Sequence, residues 1–166
     1  MSRKMLNIRI ATTEDQTYIV ESHSQIYKKE RNFDESFKEF IEASVSNIFS
    51  PDYAGEVWLL EKESTPCGSI AVSLLSQDVA QLRLFLIEPS GRGQGGAKQL
   101  MDQAIDYAKD QGVSEMILWT SSNQEAARTI YEKYGFVLTE SKTSFLSKQY
   151  VEEEKWTMAL KKEVRT

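Results

Sequence analysis

With 166 residues, 40% of them hydrophobic and 27% charged, and only 3 Pro and 8 Gly, the chain has the make-up of one globular domain, residues 1–166, that buries its own core; disorder, collagen-like repeats and a second full-sized domain are excluded. The 20 Lys and Arg against 25 Asp and Glu leave a net charge of −5, which argues against a surface built to gather nucleic acid or anionic lipid and requires any anionic ligand to be held locally. One cysteine, Cys67, no apolar leader, and apolar runs no longer than a strand, such as residues 84–87, point to a reducing cytoplasm and a chain that crosses no membrane.

Leu6, Ile8 and Ile10 alternate with other residues as in a strand. Thr13-Glu14-Asp15-Gln16 then offers a helix start, with Thr13 as N-cap and Gln16 closing a capping box. The apolar stripe of this helix is Ile19, Val20, His23, Ile26 and Tyr27. Asn32 to Asp34 interrupt it, and Asp34 can cap a second helix carrying Phe37, Phe40, Ile41, Val45 and Ile48. Residues 57–61, 68–75 and 79–87 read as three strands joined by polar turns, an antiparallel meander. From Ala97 the period becomes 3.6, because Ala97, Leu100, Met101, Ala104, Ile105 and Ala108 share one helical face until Gly112. A short strand at 116–120 and a helix with Ala126, Ala127, Ile130, Tyr131 and Tyr134 on one face, ended by Gly135, complete a βαβα unit. Residues 136–139 and 156–160 supply two last strands around a polar stretch, 142–154, that reads as a loop or an irregular hairpin. The strand at 156–160 offers an edge for a second copy, so a homodimer is one arrangement the sequence allows.

The chemistry lies in Ile87-Glu88-Pro89-Ser90-Gly91-Arg92-Gly93-Gln94-Gly95-Gly96-Ala97, where an apolar strand passes through glycines into an amphipathic helix. Without Cβ atoms the backbone can approach a ligand closely, and the first free N–H groups of the helix converge there with the positive end of its dipole behind them. Such a turn cradles phosphate, and Arg92 and Lys98 add to a local positive field inside an acidic protein. A P-loop is excluded because Gly96 is followed by Ala97 and Lys98 instead of Lys and then Ser or Thr. Gly91, Gly93 and Gly96 formally meet the G-x-G-x-x-G pattern of a dinucleotide site, but the next strand ends in Thr120-Ser121-Ser122 with no acid to hold a ribose.

A third pattern, Arg92-x-x-Gly95-x-Ala97, resembles the Q/R-x-x-G-x-G/A pyrophosphate motif of the GNAT N-acetyltransferase superfamily. The preceding strand, residues 82–89, looks like that family's fourth strand. The segment Ala127-Arg128-Thr129-Ile130-Tyr131-Glu132-Lys133-Tyr134-Gly135-Phe136 is similar to its A-x-x-L-Y-E-K-x-G-F, with Ile130 in place of Leu. The element order β α α β β β α β α β β agrees, so the resemblance runs from Ile8 to Leu160 while its motifs cover residues 82–136. His23, Tyr27, the Asn32-Phe33-Asp34 turn, Val57-Trp58-Leu59, Ala80-Gln81-Leu82-Arg83, Leu118-Trp119-Thr120 and Trp156 look closer still to the acetyltransferase domains fused to MarR-type regulators.

The resemblance implies an α/β fold with a mixed, mostly antiparallel twisted sheet flanked by helices, the acyl-CoA N-acyltransferase architecture. It also implies acetyl-CoA as co-substrate without a metal, and direct attack of a primary amine, small molecule or peptide, on the thioester. It places Phe85, Leu86 and Ile87 along the pantetheine arm, Arg92, Gly93, Gln94, Gly95, Gly96, Ala97 and Lys98 around the pyrophosphate, and Asn123 and Ala127 beside the cofactor. Tyr131 falls where the family's general acid sits, although periodicity alone reads it as a core tyrosine. Glu88, at the end of the fourth strand, is a candidate base whose other reading is a solvated carboxylate. Gln81, Arg83 and Trp119 fall on the acceptor side together with His23, whose place on an apolar stripe reads as packing more than catalysis. One His and one Cys exclude a clustered zinc site and a Cys-His nucleophile, and Glu152-Glu153-Glu154 reads as a solvated run. The other function class on this fold is an acyl-CoA sensor or interaction module without turnover.

Overall fold

Successive residues of one strand, Val57 to Leu60, are all buried, which requires cover on both faces of a sheet. Trp58 and Leu60 pack with Leu100, Met101 and Leu118, whereas Val57 and Leu59 pack with Ile19, Phe37 and Ile41. The structure, a computed structural model, describes residues 6–122 and 124–160. Its strands are β1 (Leu6–Ile10), β2 (Gly55–Lys62), β3 (Thr65–Leu74), β4 (Val79–Ile87), β5 (Glu115–Ser121), β6 (Val137–Leu146) and β7 (Gln149–Ala159). They form one sheet in the order β1-β2-β3-β4-β5-β7-β6, antiparallel throughout except for β4 with β5. Helices α1 (Gln16–Arg31) and α2 (Glu35–Ile48) cover one face, and α3 (Gly96–Asp110) and α4 (Glu125–Tyr134) the other. This is the mixed, mostly antiparallel α/β sheet with flanking helices expected from the sequence. No helix among the described residues is long and apolar enough to cross a membrane.

The helix starts follow local chemistry, with one correction. The capping box before α1 uses Thr12 and Asp15, not Thr13 and Gln16: the Thr12 N–H donates to Asp15 Oδ2 at 2.8 Å, and residues 13–15 form a 3-10 turn first. Asp15 is available for this because Arg9 grips both its carboxylate oxygens at 2.8 Å. Asp34 caps α2 as expected, its Oδ1 accepting from the Ser36 N–H at 3.0 Å.

The carboxyl-terminal region differs more. The polar stretch 142–154 is a regular hairpin, and its two strands extend to Leu146 and from Gln149 around a two-residue turn, Ser147 and Lys148, both with positive φ. Residues 137–143 of β6 are all exposed, so the alternation that marks a half-buried strand is missing there. The strand with Trp156 is interior, since Trp156 pairs with Leu118 on one side and Leu138 on the other. The free edge on this side of the sheet is therefore β6, not residues 156–160. The hairpin turn reaches back to the helices: Ser147 Oγ donates to Asp34 Oδ1 at 2.7 Å and Gln149 Nε2 to the Arg31 carbonyl at 3.3 Å.

Two features open the sheet between β4 and β5. The parallel pair β4–β5 is in register only from Val79 to Gln81 against Glu115 to Ile117, after which β5 stays with β7 and β4 stays with β3. A bulge then bends β4: the register with β3 shifts between Ser69 and Ala71, Leu84 takes φ of 52°, and Ser69 Oγ holds the Leu84 carbonyl at 2.7 Å.

Candidate active site

Two cavities, of about 410 and 280 Å³, lie where β4 and β5 part, and they share Tyr27, Phe85, Gln124 and Tyr131 as a common wall. The larger runs along Phe85, Leu86 and Ile87 to the glycine turn, with Ala127 and Ile130 of α4 opposite. Gly93 and Gly95 have φ of 76° and 83°, and a Cβ on either would meet nothing within 4 Å, so the left-handed backbone, not crowding, calls for glycine there. Gly96 is a packing glycine, since a Cβ would lie 2.5 Å from Leu60 Cδ2 in the core. The first helical bond of this turn runs from the Gln99 N–H to the Gly95 carbonyl at 3.1 Å, which leaves the amides of Gly96, Ala97 and Lys98 without helical acceptors, and no side chain caps them. The turn is therefore an anion cradle in geometry as well as in pattern.

Charges around this cavity are arranged in pairs. Arg92 donates its Nε to the Ile87 carbonyl at 2.9 Å, and its two terminal nitrogens reach Glu30 on α1 at 3.1 and 3.0 Å. That bidentate contact lowers the Glu30 carboxyl below its usual range. Arg31, next along α1, lies 5.1 Å over the Tyr27 ring and donates to Ser121 Oγ at 3.4 Å. Gln94 and Lys98, expected at the cofactor, do not line the cavity with their side chains: Gln94 folds back on the Ser90 carbonyl at 3.1 Å and Lys98 pairs with Asp102 at 2.7 Å. Asn123 lies outside the described residues.

The smaller cavity holds the four residues expected on the acceptor side, His23, Gln81, Arg83 and Trp119. Strand alternation explains the grouping. Ala80 and Leu82 face the α3 core, so Gln81 and Arg83 face α2; Met116 and Leu118 likewise leave Trp119 on the α2 side. Two groups of the wall were not singled out from the sequence. One is an aromatic set from α1, α2 and the turn between them, in which Phe33 and Phe37 lie 4.9 Å apart and Tyr27 and Phe37 4.6 Å apart. The other is Thr120, Ser121, Gln124 and Glu153. The helical spacing of the aromatics was visible, but it is also the spacing of a core stripe.

His23 is 2% exposed, and burial pushes its pKa down to about 4. Its Nδ1 lies 2.8 Å from the Ile19 carbonyl and the Leu84 carbonyl also acts on the ring, while Nε2 has no well-formed hydrogen bond. Thr120 Oγ1 in the same wall is also buried without a partner. Tyr131 is 5% exposed and packs edge-on against Phe136 at 5.9 Å; burial raises its phenol above the usual tyrosine value, which keeps it protonated. Arg128, one turn earlier, forms an ion pair of 3.1 Å with Glu154, which is 5% exposed and fastens α4 to β7. Glu154 is thus no part of a solvated run. Glu88 lines neither cavity; it accepts a hydrogen bond of 2.5 Å from Tyr18. No cluster of His, Cys, Asp or Glu among the described residues could hold a metal ion.

Known proteins similar to this chain in sequence and in fold are acetyltransferases. N-acetyltransferase 8F1 of Rattus norvegicus is 34% identical over 90 residues, 51% of this chain and 41% of the relative, so the chain spans well under half of that relative's length. In three dimensions, a GNAT family acetyltransferase from Staphylococcus aureus Mu50 superposes with a TM-score of 0.79 at 22% identity, over 95% of this chain and all of the other. A GNAT family acetyltransferase from Elizabethkingia anophelis, crystallised with acetyl-CoA bound, gives 0.67 at 15% identity over 93% and 98% of the two chains. The model of the acetyltransferase (GNAT) family matches residues 17–136, which include the anion cradle, both strands that part and Tyr131, and the chain belongs to that family.

Proposed function

We propose that the protein transfers the acetyl group of acetyl-CoA to a primary amine by direct attack. The observation that carries this reading is the junction of two cavities at Tyr131, one ending in an anion cradle and the other lined for a separate molecule. In this reading the diphosphate of CoA accepts from the amides of residues 96–98 with Arg92 alongside, and the pantetheine arm follows residues 85–87 of β4. The amine nitrogen attacks the thioester carbon, the C–S bond breaks, the departing thiolate takes the Tyr131 phenolic proton, and the extra proton of the new amide nitrogen restores the phenol, leaving amide and free thiol. The ammonium must first lose a proton. Glu88 is poorly placed for this behind its Tyr18 bond, and buried His23 is too weak a base to hold it, so the proton leaves through the open acceptor mouth, where Glu153 is the lining carboxylate.

The test is release of free thiol from acetyl-CoA in the presence of a panel of amines. The wild type is expected to release thiol, and Tyr131→Phe to lower kcat roughly ten-fold or more with little change in acetyl-CoA affinity. An unchanged kcat would remove Tyr131 from the role. Tight acetyl-CoA binding with no thiol release from any amine would favour a sensor, the reading to which the likeness to MarR-fused domains lends itself. A cytoplasmic location and a dimer formed through β6 remain part of the proposal, the latter read by sedimentation.

A further inference from the structure

The smaller cavity carries information about the acceptor that the net charge of −5 does not. Its volume, about 280 Å³, suits a small molecule better than an aminoglycoside or a peptide segment. Its walls are largely aromatic, with Tyr27, Phe33, Phe37, Phe40 and Trp119 around the void. Two charged groups line it away from the shared wall. Glu153 is already engaged, with Lys142 at 3.7 Å and Ser144 Oγ at 2.8 Å, and the same Lys142 lies 4.6 Å over Trp119. Arg83 makes no ion pair or hydrogen bond to any described residue, and its charge acts on the Tyr53 phenol, so it lines the cavity without a carboxylate partner. In the same wall the Thr120 hydroxyl is buried without a partner, suited to an N–H group of an amine, and the His23 imidazole stacks on Tyr27 of the shared wall at 6.3 Å.

Resting on the acetyl-transfer reading, we infer that the acceptor is an amino acid with an aromatic or large apolar side chain, its carboxylate on Arg83, its side chain among the α1–α2 aromatics and its amine towards Thr120. A polyamine is the wrong complement, because it would bring several cations to a pocket whose free charge is positive. Arg83 offers a carboxylate two parallel hydrogen bonds, which gives the choice its geometry as well as its sign.

Calorimetric titration of the CoA-bound protein with L-phenylalanine, L-phenylalaninamide and spermidine separates the cases without requiring turnover. The acid is expected to bind at least ten-fold more tightly than its amide, and spermidine not at all. In Arg83→Gln the acid-to-amide ratio should fall towards one, and in Arg83→Lys most of it should return, with melting temperatures checked for both. Equal binding of acid and amide, preference for spermidine, or no binding of the acid would each overturn the inference. Binding of the acid without thiol release from acetyl-CoA would instead sink the acetyl-transfer reading and leave the acceptor site standing.

Discussion

The two cavities that meet at Tyr131 are built by opposite means. The side proposed for the cofactor is built around one continuous stretch from Phe85 to Ala97, which supplies strand, turn and free amides, and α1 and α4 close it. The acceptor side is almost wholly side chain, collected from α1, α2, β4, β5 and the β6–β7 hairpin, whose turn is tied to Asp34. In the proposed reading, backbone amides bind an invariant group, the diphosphate of CoA, and tolerate little change in main-chain shape. Side chains from five segments can be exchanged one at a time, so the acceptor wall is where relatives of one fold can part in substrate.

The sharpest way to break this contrast is to attack the backbone side. Gly95→Glu puts a carboxylate beside the free amides at a residue with φ of 83° and is expected to weaken acetyl-CoA binding by about 100-fold or more, read by calorimetry. Gly112→Glu is the control, because Gly112 has φ of 79° and equally open surroundings at the other end of α3; it carries the same strain and should leave acetyl-CoA binding intact. Equal losses in both would mean that strain, not the anion site, is being measured.

The acceptor side is distinguished by a buried titrating group. The His23 pKa is lowered from 6.5 to about 4, so between those values the unfolded chain binds a proton that the folded chain refuses. Stability therefore falls as pH drops through this window, by about 3 kcal/mol when the full shift is expressed. Urea unfolding at pH 7 and pH 4.5 measures it, and His23→Gln is expected to flatten that acid limb. An unaltered limb would assign the loss to other groups.

A smaller effect tests the one long charged contact on the cofactor side. Arg92 and Glu30 are each about 45% exposed, so their ion pair contributes about 0–1 kcal/mol after solvent screening. Glu30→Gln should free Arg92 for the diphosphate and tighten acetyl-CoA by about two- to three-fold. A loss of affinity would mean that Glu30 aims Arg92 and does not compete for it.

Legibility in the sequence followed the same division. The glycine turn, the helix that carries Tyr131 and the strand 79–87 could be read because each is specified by neighbours in sequence: φ requirements, helical period and strand alternation act over a few residues. The β6–β7 hairpin was harder, since a ribbon whose first seven residues are exposed lacks the apolar alternation that marks a strand. Gln94, Lys98 and Glu88 were read by proximity to the turn, and their side chains instead found local partners in Ser90, Asp102 and Tyr18.

By itself the sequence determined the order of elements, the glycine turn and the family, because these rest on short-range patterns in a continuous stretch of chain. Only the tertiary structure decided which side chains share the wall of the smaller cavity, that Glu154 is a buried partner of Arg128, and that Arg83 lines that cavity without an ion pair to a described residue. Those facts depend on where β4 leaves β5 and on a hairpin folding back onto α2, contacts between residues as far apart as Asp34 and Ser147. No local pattern encodes such a contact, because burial and pairing are set by the whole packed sheet.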